Sequence, residues 1–154
     1  MSKPEKQKLD VTTGTKISLN IARWQQVVVI PPVVKEGHDE LTPGQYLHVK
    51  DQVKQLVGFG ARRFDSELRI EPFEEFWELK DKGGVLGSKN IRVYFAFEQK
   101  VNDIVVLKLD KKEQQNMARP ALKYILKNRL RLYRDGHFRG QLIRWKHAED
   151  SARN

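Results

Sequence analysis

Three segments in the middle of the chain carry basic and aromatic side chains at alternate positions. They are Trp77-Glu78-Leu79-Lys80, the run NIRVYFAF from Asn90 to Phe97, and IVVLKLDKK from Ile104 to Lys112. Successive side chains of a strand point to opposite faces. If Ile91, Val93, Phe95 and Phe97 face a core, then Arg92, Tyr94 and Ala96 face away from it. By the same count Lys80 and Glu78 oppose Trp77 and Leu79, and Lys108 with Val106 opposes Val105, Leu107 and Leu109. The connections DKGG and QKVND are short enough to make the three strands an antiparallel meander. Lys80, Arg92, Tyr94 and Lys108 are then expected on one sheet face, with Lys111 and Lys112 just past its edge. A cationic, partly aromatic platform of this kind suits phosphate and bases. The plainer alternative is the wet face of a half-exposed sheet, with Glu78 and Lys80 pairing against neighbours. In either case Arg92 is expected to be exposed, so that its removal leaves stability nearly unchanged. Lys80 and Arg92 on adjacent strands would lie about 5 Å apart and repel, a strain that a bound anion relieves.

Other chemistries find little support. His38, His48, His137 and His147 are scattered without metal-ligand spacing, so no metal is expected. The chain has no cysteine, which removes disulfides, thiol nucleophiles and thiolate metal sites. No phosphate-loop or dinucleotide glycine pattern occurs, no cofactor is implied, and LKDKGGVLG reads as a turn between strands.

The elements that would hold the platform follow from periodicity. Residues 1–15 are polar and aperiodic and are expected to form a flexible arm. Ile17, Leu19 and Ile21 alternate, and the apolar run Val27–Ile30 reads as a strand halted by Pro31 and Pro32, followed by a loop at KEGHDEL. Thr42 is a plausible N-cap with Pro43 at the first helical position, and Tyr46, Val49, Val53, Leu56 and Val57 recur at helical spacing. From Leu68 the pattern alternates as a single strand to Lys80. A last helix over 118–133 sets Leu122, Ile125, Leu126 and Leu130 against Lys123, Lys127, Arg131 and Arg134. The fold class expected is α/β (α+β): an antiparallel sheet of three to four strands, near 26–31, 74–80, 90–98 and 103–109, with both helices on the phenylalanine face. One domain over 16–134 would then carry a basic extension over 135–154.

Composition agrees with a globular chain that meets a polyanion. Its 154 residues carry a net charge of +9, with 39% hydrophobic and 32% charged residues. No apolar run approaches the length of a membrane span and the N-terminus has no apolar signal core, so no membrane partner and a cytoplasmic setting are expected.

The block FWELKDKGGVLGSKNIRVYFAFEQKVNDIVVLKLDKKEQQ resembles the core of the RelE/ParE/HigB superfamily of toxin–antitoxin toxins. The aromatic-x-leucine-basic strand, the strand with arginine before valine, tyrosine and phenylalanine, and the aliphatic strand ending in paired lysines match in order. The resemblance covers roughly residues 40–130, and residues 70–112 carry most of it. It implies a RelE-like domain and a metal-independent endoribonuclease that cuts messenger RNA, free or on the ribosome, and is neutralised by a small acidic antitoxin. Lys80 and Arg92 fall on the catalytic positions. Tyr94, Lys108, Lys111, Lys112, Arg119 and Tyr124 would contact substrate. Glu78 departs from the pattern, standing where some nucleases of the group are basic, and EQQNMARP replaces the usual threonine and proline after the lysine pair. The group also includes gyrase poisons, so a non-catalytic basic module binding nucleic acid or gyrase is the second reading.

Overall fold

In the computed structural model, residues 24–59, 68–112 and 117–146 are described, and the alternation at Ile17–Ile21 lies outside them. Strand β1 (Gln26–Val29) leads into helix α1 (Pro31–Glu40) and helix α2 (Pro43–Phe59). Strands β2 (Arg69–Phe73), β3 (Phe76–Lys82), β4 (Asn90–Glu98) and β5 (Asp103–Lys111) follow, with a short 3-10 turn at Gly84–Leu86. Helix α3 (Arg119–Arg134) and a short strand β6 (Ile143–Trp145) complete the α+β fold. The strands form one mixed sheet in the order β2-β3-β4-β5-β1-β6. The meander is antiparallel as the alternation implies, but β1 runs parallel to β5 and β6 pairs antiparallel with β1. Among the described residues the sheet therefore has six strands, not three to four, and part of the expected C-terminal extension is its edge.

Local chemistry explains the boundaries. Thr42 Oγ1 accepts from the Gln45 N–H at 3.2 Å, and Gln45 Oε1 accepts from the Thr42 N–H at 3.0 Å. That reciprocal box starts α2. Pro31 and Pro32 do end β1, yet they also open α1, where a missing N–H is of no consequence in the first turn. The segment expected as a loop is therefore helical through Glu40. Its apolar stripe is thin, with Val33 and Gly37 as its buried positions, so little periodicity announces it. Residues 68–80 are not one strand but a hairpin, reversed at Glu74 and Glu75, with Glu74 in the left-handed region at φ 55°. No glycine or asparagine marks that turn. The reversal pairs Phe73 with Phe76 and moves Phe73 off the Trp77 and Leu79 face.

A bulge refines the register of β5. Tyr94 pairs with Lys108 and Phe95 with Val106, leaving Leu107 as the extra residue. Val106 and Ile104 therefore share the face of Phe95 and Phe97, and Val105 shares that of Ala96, reversing the expected parity beyond the bulge.

Both sheet faces are covered. On the phenylalanine face, Trp24 stacks on Phe97 at 4.6 Å, and Tyr46 of α2 meets Trp145 edge-on. Leu79, Val93, Phe95, Ile104 and Val53 are 0–1% exposed, whereas Trp77 and Phe97 are partly buried at its margin. Helix α3, expected on this face, instead crosses the other one. Arg119 lies over the Phe73 ring, and Arg129 donates to the Leu107 carbonyl at 2.9 Å. Helix α1 guards the edge of β5 beyond the end of β1, where Glu36 Oε1 accepts from the Leu109 N–H at 3.0 Å. That is why Val105, Leu107, Leu122 and Leu126 are all buried although the sheet alternates.

Candidate functional site

The register brings four of the expected site residues onto one face. Lys80 sits directly opposite Arg92, Glu78 opposite Tyr94, Arg92 also opposite Asp110, and Tyr94 opposite Lys108. Glu71 of β2 pairs with Glu78 and completes the row. Residues directly opposite on antiparallel strands have Cβ atoms about 5 Å apart, so these side chains must answer one another's charge.

The answer is pairing, not an open cationic platform. Lys80 Nζ lies 2.8 Å from Glu71 Oε1. Arg92 Nε lies 3.3 Å from Glu78 Oε2, and its Nη1 donates to Asn90 Oδ1 at 3.1 Å. Lys108 Nζ lies 2.6 Å from Asp110 Oδ1 and 3.3 Å from Glu36 Oε2, which also holds Arg129 Nη2 at 2.8 Å. Lys80, Arg92, Lys108 and Arg129 are thus matched by Glu71, Glu78, Asp110 and Glu36, while Arg69 and Lys82 stand exposed at the rim of the same face. Arg92 is only 7% exposed, Tyr94 6% and Lys108 8%. The expectation of an exposed Arg92, relieved of repulsion by a ligand, is corrected: Arg92 is buried against Glu78, and Glu71 already answers the charge of its neighbour Lys80.

Two titrations follow from this arrangement. The Lys80 ammonium, chiefly through its hydrogen bond, holds Glu71 below the ordinary carboxylate range. Burial, followed by the charge and hydrogen bond of Glu78, pushes the Tyr94 phenol well above its ordinary range. Tyr94 therefore keeps its proton and donates it to the Glu78 carboxylate, which sits between a phenol and a guanidinium.

The remaining expected contacts are dispersed. Lys111 pairs opposite Ile91 and so belongs to the phenylalanine face, away from Lys80 and Arg92. Lys112 is exposed at the strand end, where its N–H donates to the Asn90 carbonyl at 2.7 Å. Arg119 is bound to Glu74 at the β2–β3 turn, and Lys123 and Lys127 reach Glu74 and Glu75 there. Tyr124, one turn along α3, is 71% exposed.

No protein-family model, no curated protein and no solved structure matches this chain. Of the acids that answer these cations, alternation already places Glu78 beside Lys80, whereas Glu71 and Glu36 were hidden because their elements read as a single strand and a loop. Among the described residues no group of three or more histidine, aspartate or glutamate side chains could hold a metal ion. No helix among them is long and apolar enough to cross a membrane.

Proposed function

We propose that this chain is a RelE-like endoribonuclease that cleaves messenger RNA, free or ribosome-bound, and that a small acidic antitoxin protein restrains it. The observation that carries the reading is two directly opposed pairs, Lys80 with Arg92 and Glu78 with Tyr94. Arg92 faces Lys80 across one pair of strands, and the Glu78 carboxylate lies 3.3 Å from Arg92 while accepting from Tyr94. These are the parts that transfer of a phosphoryl group to a ribose hydroxyl needs. Glu78 takes the proton of the 2′-hydroxyl, and the oxygen attacks phosphorus. The bond from phosphorus to the 5′-oxygen then breaks, leaving a 2′,3′-cyclic phosphate and a 5′-hydroxyl. Arg92 stabilises the charge gathering on the non-bridging oxygens. Lys80 stabilises and protonates the departing oxygen. The substrate phosphate displaces Glu71 from Lys80, at the more open rim of the face, where the Lys80 and Glu71 side chains are 19% and 51% exposed. Lys112 then meets the flanking backbone, whereas Lys108, held by two acids, orders the site.

A second reading, a non-catalytic module of the same fold that binds nucleic acid or gyrase, is favoured by the pairing of Lys80, Arg92 and Lys108 with acids on this face. Induced expression separates the two. Wild-type chain should arrest growth and fragment messenger RNA, while Lys80→Ala and Arg92→Lys, at matched protein levels by immunoblot, should do neither. Growth arrest with intact messenger RNA in all three would instead support the binding module.

A further inference from the structure

The far end of the sheet carries a cleft that the proposed chemistry does not use. Its volume is about 660 Å³, and its walls include the β4–β5 turn, the last turn of α3 and the loop over 136–142. Glu98 in this cleft lies six positions along β4 from Arg92, which is about 20 Å of extended chain. The volume falls in the range of small-ligand sites.

The lining combines two chemistries. Val101, Tyr133, Phe138 and Leu142 supply apolar and aromatic surface. Lys100, Arg134 and Arg139 supply charge, against the single acid Glu98. Arg134 is committed, with its Nε and Nη2 at 2.8 and 3.3 Å from the two Glu98 oxygens. Lys100 and Arg139 form no ion pair or side-chain hydrogen bond among the described residues, unlike Lys80, Arg92, Lys108 and Arg129 on the arginine face. The Arg139 N–H donates to the Gly136 carbonyl at 3.1 Å, and its guanidinium lies against Gly136, at φ 81°, where a Cβ would stand 2.9 Å from Nη2. Burial, followed by Asp103 and Glu98, raises the Tyr133 phenol above its ordinary range, so the ring stays neutral.

We propose that this cleft binds one nucleotide unit of a single-stranded RNA, its base against the Tyr133 wall and its phosphate on Lys100 and Arg139. An aromatic surface beside two uncommitted cations fits a flat ring that carries a phosphate. An acidic peptide would use the cations but leave the aromatic surface idle. The cleft takes its polymer from the RNA reading above, yet it stands on separate residues and can fail separately.

The test measures equilibrium binding by fluorescence anisotropy of a short, labelled 2′-O-methyl oligoribonucleotide, which resists cleavage, across a salt series. Lys100→Ala and Arg139→Ala together should weaken binding at least about 10-fold and flatten the salt dependence by about 0.7 for each cation removed. Lys80→Ala should leave this cleft's contribution intact. Free adenosine monophosphate should compete weakly and an abasic oligonucleotide poorly, whereas polyglutamate competing as well as the oligonucleotide would overturn the nucleotide assignment. Binding unchanged by the double substitution would also overturn it, even if RNA cleavage proved to depend on Arg92. Binding that depends on Lys100 and Arg139 without any cleavage would sink the nuclease reading and leave this site standing.

Discussion

Replacing Arg92 with alanine removes one half of an ion pair whose side chains are 9% and 14% exposed. At their 3.3 Å separation and an effective dielectric near 20, the attraction is about 5 kcal/mol before desolvation is counted. What the variant leaves behind is Glu78, still nearly buried, with Tyr94 as its donor. Breaking such a pair costs about 3–5 kcal/mol, and the retained phenol hydrogen bond puts Arg92→Ala at the lower end, about 3 kcal/mol. In a chain of this size that lowers the melting temperature by about 6–12 °C. Chemical denaturation followed by tryptophan fluorescence gives the value directly. Glu78→Ala in the same background removes the stranded charge, so the double variant should be no less stable than Arg92→Ala alone. The coupling energy of the cycle should be about 2 kcal/mol. A loss below about 1 kcal/mol for Arg92→Ala, or strict additivity, would refute the buried, paired arginine and restore the exposed one.

Phe95→Ala, at a side chain with no exposure and ring contact to Phe97, should cost about 3–5 kcal/mol by the same denaturation assay. Gly37→Ala should destabilise even though alanine favours helices, because its Cβ would stand 2.5 Å from the Tyr46 ring, which stacks on His38; a loss of about 1–2 kcal/mol in denaturation would bear this out. Asp103 is 6% exposed, and burial raises its carboxyl above the ordinary 3.8 despite the Gln26 amide. A raised acid binds more protons folded than unfolded, so its contribution to stability falls as pH climbs from that value. Asp103→Asn should therefore be more stable than wild type at neutral pH and show a flatter stability profile in mildly acidic solution. Lower stability of the variant at neutral pH would show that the carboxylate is better satisfied than its burial implies.

Much of this fold was legible where local and long-range signals agree. Thr42 as cap and Pro43 at the first helical position, with a helical period, marked α2, and alternating β-branched and aromatic residues marked β4 and β5. What escaped had a physical disguise. Pro31 and Pro32 look like a stop and serve as a helix start. Glu74 and Glu75 turn a hairpin without turn residues, held by Arg119, Lys123 and Lys127 from α3. The Leu107 bulge changes facing without changing composition. For the site, the shared face of Lys80 and Arg92 could be counted from alternation, and the register set them directly opposite. The pairing of Lys80 with Glu71 and of Lys108 with Glu36 could not be counted so, because those acids reach the face from elements that the periodicity failed to separate. Nor could the cover of α3 over the arginine face, since the buried Leu122 and Leu126 mark an apolar stripe but not the sheet surface it meets.

Product-end analysis of RNA incubated with purified protein, with and without ribosomes, tests the central claim most directly. Wild-type chain should leave 2′,3′-cyclic phosphate and 5′-hydroxyl ends. Glu78→Gln, which keeps the shape and removes the base, should slow cleavage on the order of 100-fold while its circular dichroism stays native. Arg92→Lys should do the same, because a lysine cannot reproduce the planar guanidinium. Absence of cleavage by wild type under both conditions, or cleavage that survives both substitutions, would contradict the account.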